Sequence, residues 1–173
     1  MSPARSDLVN AIELAGRAAV LERSLGLEQL PRLAEAGARQ GTTARAMLTF
    51  GRFEKRATVE VRVEGSIVLV CQRCLRPCDC RVAESAQLIV VADDAAEIPG
   101  GFEAALGDAE RLSVTELIEE QLLLGMPLVP LHEEAAQCRE ASAEKAAVAT
   151  HAAAKDKQRP FSNLRELLDK GEP

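Results

Sequence analysis

The chain has 173 residues, a net charge of −6, 47% apolar residues, four Phe and neither Tyr nor Trp. That length fits one compact domain with a tail or linker, and the core has to come from Leu, Val, Ala and Ile. Without Tyr or Trp there is no aromatic platform of the kind single-stranded nucleic-acid binders use, so any such contact must rest on phosphate pairing and shape.

Met1–Asp7 has no apolar h-region, so no secretory signal is expected. No uncharged apolar run approaches the roughly 18 residues that span a bilayer, and a cytoplasmic protein without a membrane partner is expected. Leu8, Ile12 and Ala15 predict a short helical face ending near Gly16. Ala18–Leu25 reads as a strand or a helix continuation. Glu28–Ala36 reads as a short helix with Pro31 in its first turn and Gly37 as its stop. Ala36–Thr43 is a turn-rich connection.

Arg45–Phe53 then reads as a strand. In Thr58–Glu64, Val59, Val61 and Val63 point one way and the polar residues the other, the period of a half-buried strand. Gly65 predicts a bulge or bend. Ile67–Cys71 continues as a run buried on both sides, and Arg81–Val91 resumes strand character. Strands at this spacing predict an α+β fold: an antiparallel β-meander or partly closed barrel with a few short helices packed on it.

Asp93–Glu110 reads as a long acidic loop, which in a compact domain suggests a functional excursion. Ser113 and Glu116 form a capping box ahead of a helix that places Val114, Leu117, Ile118, Gln121 and Leu122 on one stripe, with Glu119 and Glu120 on the wet face. Pro127 enforces its stop, and Met126–His132 is extended between two prolines. Residues 1–140 are thus expected to form a single α+β domain, 141–158 an Ala/Lys-rich linker, and 159–173 a short C-terminal helix. Phe161, Leu164, Leu167 and Leu168 make a stripe on that helix, which is expected to dock on its own domain.

Charge is sorted along the chain. Residues 39–81 carry nine Lys/Arg against four Asp/Glu, and residues 83–144 carry fourteen Asp/Glu against two Arg. Two faces for two kinds of partner are one reading, and plain solvated surface the other. Arg52, Lys55, Arg56, Arg62, Arg73, Arg76 and Arg81 fall on successive strands and the turn between two of them. Several of them are expected to form a basic patch beside the hairpin, holding RNA by counterion release.

Five cysteines in a chain with no export signal read as reduced thiols or a metal site. Cys71-Gln72-Arg73-Cys74, in a tight turn between strands, is half of a tetrahedral zinc site. Candidates for the remaining donors are Cys138, His132, Cys78 and Cys80; His132 and Cys138 would complete a Cys₃His set. The bland alternative is buried thiols with no metal. A thioredoxin-like reading is poorer, because that motif belongs at a helix N-terminus. His151 sits in the polar Ala-rich tract and reads as solvated. No Gly-rich phosphate loop, G-x-S-x-G or H-E-x-x-H occurs, so neither an active site nor a small-molecule substrate is expected.

Three blocks together resemble the YceD family of large ribosomal RNA subunit accumulation proteins. They are Leu69–Pro77 with its C-x-R-C-x-x-P hairpin, Leu122–His132 followed by Cys138, and Pro160–Leu164, similar to an N-P-F-x-x-L terminal helix. Arg159 stands where the family usually has Asn, and Cys78 and Cys80 are additional to its pattern. The resemblance implies a role in accumulating large-subunit (23S) ribosomal RNA and assembling the large subunit. It supplies no residue-level mechanism. The residues add one: the basic strands would bind rRNA or a pre-ribosomal particle, and the acidic loop and helix a basic ribosomal protein. The competing readings are a zinc- or thiol-dependent redox or metal-handling protein and a protein-only chaperone for a basic ribosomal protein.

Overall fold

Three long stretches of alternating branched and polar residues form the body of the protein: β3 (Arg39–Phe53), β4 (Arg56–Val70) and β5 (Pro77–Val91). The computed structural model describes residues 7–93 and 97–138. The sequence-predicted linker 141–158, with His151, and the helix at 159–173 lie outside the described residues.

β3, β4 and β5 pair antiparallel, with Val61 opposite both Leu48 and Ala86. The period-2 pattern turns Leu48, Phe50, Val59, Val61, Val63 and Ile67 to one face, where each is essentially inaccessible. β2 (Val20–Gly26) extends the sheet antiparallel beside β3, and β6 (Glu103–Leu106) lies parallel to β5. The order is β2-β3-β4-β5-β6. The class is α+β as expected, with an open sheet rather than a partly closed barrel. The expected long loop contains β6, so the sheet is not a pure meander; four residues with two alanines are too short to show a strand period.

The bulge falls on β3 rather than at Gly65. The register shifts between Arg39 and Thr43, around Gly41 at φ +97°. There the Thr42 hydroxyl donates to Arg39 O (2.8 Å) and accepts from Val68 N–H (3.0 Å), replacing the lost ladder contacts. The predicted turn at Ala36–Thr43 is therefore largely strand. Gly65 stays in register, and a side chain there would meet Leu122 Cδ2 and Thr43 O, each 3.2 Å away. The Ile67–Cys71 run alternates: Ile67, Leu69 and Cys71 are buried, whereas Val68 and Val70 are half-exposed.

The helices cover the inner face. α1 (Ala11–Gly16) is capped by Asn10, whose side chain accepts from Glu13 N–H. It buries Ala11, Leu14 and Ala15, while Ile12 is 45% exposed, so its apolar face is rotated from the one expected. A 3₁₀ turn (Leu27–Gln29) leads into α2 (Pro31–Glu35), with Pro31 at its first position. A two-stranded ribbon of β1 (Leu8–Val9) and β7 (Leu112–Ser113) brings the N-terminal segment to the start of α3 (Val114–Gly125). Ser113 Oγ accepts from Glu116 N–H as the capping box predicts. The other orphan groups go to Asp7, whose carboxylate accepts from Thr115 N–H and from the Ser113 and Thr115 hydroxyls.

Val114, Ile118 and Leu122 of α3 pack on the sheet with no accessible surface. Glu119 departs from its expected place on the wet face. It is 2% exposed and accepts from Leu33 N–H at 2.9 Å, so it serves as a side-chain cap for α2 from the neighbouring helix. Glu120 does face water, paired with Arg32. At the helix end, a Cβ on Gly125 would lie 2.5 Å from Val82 Cγ1. Only glycine lets α3 close onto β5 there, and this aims the following segment at the β4–β5 hairpin. Among the described residues no helix is long and apolar enough to cross a membrane.

Candidate metal centre

The β4–β5 connection is a tight knuckle. Leu75 N–H donates to Cys71 O and Cys71 N–H to Arg76 O, both at 2.9 Å, and Leu75 adopts φ +61°. The segment after α3 returns across it. Met126 has extended dihedrals because Pro127 forbids another helical turn, and Gln72 N–H donates to Pro130 O at 2.9 Å. Arg76 Nη2 donates to Gln137 O at 3.0 Å, holding the turn that carries Cys138.

These contacts bring Cys71, Cys74, His132 and Cys138 together, with all four donor atoms within 4.8 Å of one another. Cys71 Sγ and Cys138 Sγ are 3.8 Å apart, and His132 Nδ1 is 3.5 Å from both Cys74 Sγ and Cys138 Sγ. A tetrahedral zinc site with Zn–S near 2.3 Å and Zn–N near 2.0–2.1 Å has S···S edges of about 3.8 Å and S···N edges of about 3.6 Å. These three edges have those lengths and no pair of donors is more than 4.8 Å apart, so the residues fit such an ion with a small contraction.

Protonation is set by the same contacts. His132 Nε2 lies 3.0 Å from Pro77 O, which can only accept, so Nε2 carries the proton and Nδ1 presents its lone pair to the thiols. Burial pushes the Cys71 thiol up, but it is outweighed by hydrogen bonds from the backbone N–H groups of Cys74, Arg73 and His132. Together these hold Cys71 at about 5. Cys138 is pushed up, first by burial and then by its hydrogen bonds to Cys71 and Cys74. Zinc takes cysteine as thiolate, so metal entry would release protons from the cluster.

Cys78 and Cys80 face the core from β5, 3% and 9% exposed, and stand outside this tetrad. Burial and the adjacent Cys80 push the Cys78 thiol up to about 12, so it packs as a small apolar group. The Pro77 carbonyl that orients His132 had no signal in the sequence, because a backbone acceptor is independent of side-chain identity.

The seven basic residues do not converge on one patch. β4 runs fifteen residues between its ends, about 46 Å at a strand's rise. Arg52, Lys55 and Arg56 lie at one end, and Arg73 and Arg76 at the other. Arg56 donates to Glu97 O, Arg62 is bound by Glu60 in mid-strand, and Arg81 stands opposite Ser66 on the uncovered face. Arg52 has the opposite parity and lies beside Gly16 of α1.

Fold and site together define an open α+β sheet carrying a Cys₃His tetrad between a strand hairpin and a proline-pinned segment. Residues 59–168 match the family described as large ribosomal RNA subunit accumulation protein YceD, and the chain belongs to that family. The match spans the whole tetrad. No curated protein and no solved structure matches the chain. The family's name ties it to large-subunit ribosomal RNA accumulation rather than to a catalysed reaction.

Proposed function

We propose that this protein is a non-enzymatic cytoplasmic factor for large ribosomal subunit assembly that binds large-subunit rRNA or a pre-ribosomal particle. One structural Zn²⁺, held by Cys71, Cys74, His132 and Cys138, locks its hairpin. The observation that carries the reading is the family match across a tetrad whose donor spacings suit a tetrahedral ion. Four protein ligands leave no open coordination position, so the ion would cross-link rather than catalyse. In this reading the knuckle is the RNA-facing end: Arg73 is exposed at its tip, with no ion-pair partner among the described residues.

A thiol-redox role has one feature in its favour, the low pKa of Cys71. Against it, Cys71 is fully buried, so its sulfur is not open to attack.

The test is depletion of the protein in growing cells, followed by gradient analysis of ribosomal particles. Large-subunit rRNA should fall relative to small-subunit rRNA, and immature large-subunit particles should accumulate. Unchanged profiles under slow growth and cold stress would overturn the reading.

A further inference from the structure

A second surface lies across the molecule from the knuckle. β6 is an edge strand with a partner on one side only. Gly107 N–H donates to Val91 O at 2.9 Å, and in a parallel ladder alternate residues turn toward the partner. Glu103 and Ala105 therefore face β5, leaving the N–H and C=O groups of Ala104 and Leu106 directed at the open edge. Beside that edge runs a groove of about 780 Å³, walled on its other side by α3. This falls in the range of clefts that hold ligands, about 300–1,000 Å³.

Its lining is apolar and acidic. Leu106 and Leu124 are 58% and 66% exposed at its margins, and Leu117 lies between them. Four carboxylates border it: Glu103, Asp108, Glu116 and Glu120. The guanidinium of Arg32 is already held by Glu120 at 2.7 Å, so only Arg111 remains against the other three. A strand edge offers backbone hydrogen bonds, and every second residue of an added strand turns toward α3, where apolar side chains and carboxylates together favour a mixed apolar and cationic face.

We propose that the groove between β6 and α3 binds an extended, Lys/Arg-bearing segment of a partner protein by strand addition. The segment pairs with Ala104 and Leu106 and sets its apolar residues against Leu117 and Leu124. Its cations, at other positions of that same α3-facing side, lie against Glu103, which shares the parity of buried Ala105, and Glu116. RNA is excluded from this surface by the same carboxylates. The inference rests on the assembly reading only for where such a partner is met; the recognition chemistry stands without it.

The probe is a fluorescein-labelled peptide of about ten residues with Val and Lys taking turns at every second position and Thr between them, so that both face α3, with Val/Glu and Gly/Lys versions as controls. Only the Val/Lys peptide should raise its anisotropy with the full-length protein, and it should slow amide exchange at Ala104 and Leu106. Glu103→Lys with Glu116→Lys should weaken binding at least about tenfold. Both side chains are exposed, and the exchange map is made on the unaltered protein, so a folding defect in the variant does not blur the result. Equal binding of the Gly/Lys peptide, protection elsewhere, or undiminished binding by the double variant would each overturn the proposal. So would an oligouridine of about ten nucleotides that protects the same two amides, which would assign the groove to RNA. Failure here leaves the particle profiles of depleted cells untouched, so the two readings fail separately.

Discussion

Cys71 Sγ and Cys138 Sγ lie 3.8 Å apart although 67 residues separate them in the chain. Only the return of the proline-pinned segment over the β4–β5 knuckle makes that possible. Zinc should therefore tie the end of the described fold to its sheet. Protein purified without chelator is expected to contain one equivalent of zinc, falling below about a tenth in Cys71→Ser or Cys138→Ser. Chelation should lower the melting temperature of the unaltered protein by roughly 10 °C, measured by calorimetry. No zinc in the unaltered protein, with all five thiols titrating freely, would leave these cysteines as core residues.

Cys78 supplies a pH signature. Its folded pKa is raised to about 12 from an ordinary value of 9.0, through burial and then Cys80. A raised pKa means that its contribution is fully present below about pH 9 and is lost as pH rises toward 12. Zinc-loaded protein should lose stability across that window in denaturant titrations. Cys78→Ala should flatten the slope there, even if its stability at pH 7 is lower for lack of packing. An unchanged alkaline slope would show that Cys78 ionises without cost.

Glu119 offers a test of the helix–helix contact. Glu119→Ala leaves Leu33 N–H buried without an acceptor and should cost about 1–3 kcal/mol in urea unfolding. Glu119→Gln keeps an acceptor oxygen and should lose much less. Equal losses in the two variants would mean that packing, not the hydrogen bond, is what Glu119 supplies.

Leu75 sits at φ +61° with 67% of its surface exposed. The left-handed region costs a branched L-residue about 1–2 kcal/mol, offset in glycine by about 0.5–1 kcal/mol of backbone entropy. Leu75→Gly is expected to stabilise the protein by about 0.5–1 kcal/mol with zinc content unchanged. Destabilisation instead would reveal a packing role for this exposed side chain.

The two ends of β4 should behave differently toward RNA. Arg73→Glu at the knuckle should weaken binding to large-subunit rRNA fragments and reduce the slope of log K against log salt by about 1. Arg52→Glu, at the far end, should leave both nearly unchanged. Filter binding across a salt series decides it, and equal effects at both ends would remove the knuckle from the interface.

Features governed by neighbours a few residues away were legible from the amino-acid order alone. Val59, Val61 and Val63 declared the buried face of β4, because a strand's period is two whatever packs on it. Ser113 and Pro127 marked the start and stop of α3 because they act on backbone groups within one turn. The C-x-x-C hairpin and the family resemblance were likewise readable. Tertiary structure alone decided the rest. It selected Cys138 and His132 over Cys78 and Cys80, because strand parity turns the latter pair into the core. It separated the arginines, since a fifteen-residue strand carries neighbours in sequence to opposite ends of the molecule. It also buried Glu119, a helix-face glutamate like Glu120 beside it, because the acceptor-seeking amide of Leu33 lies 86 residues away in sequence, and only packing sets that distance.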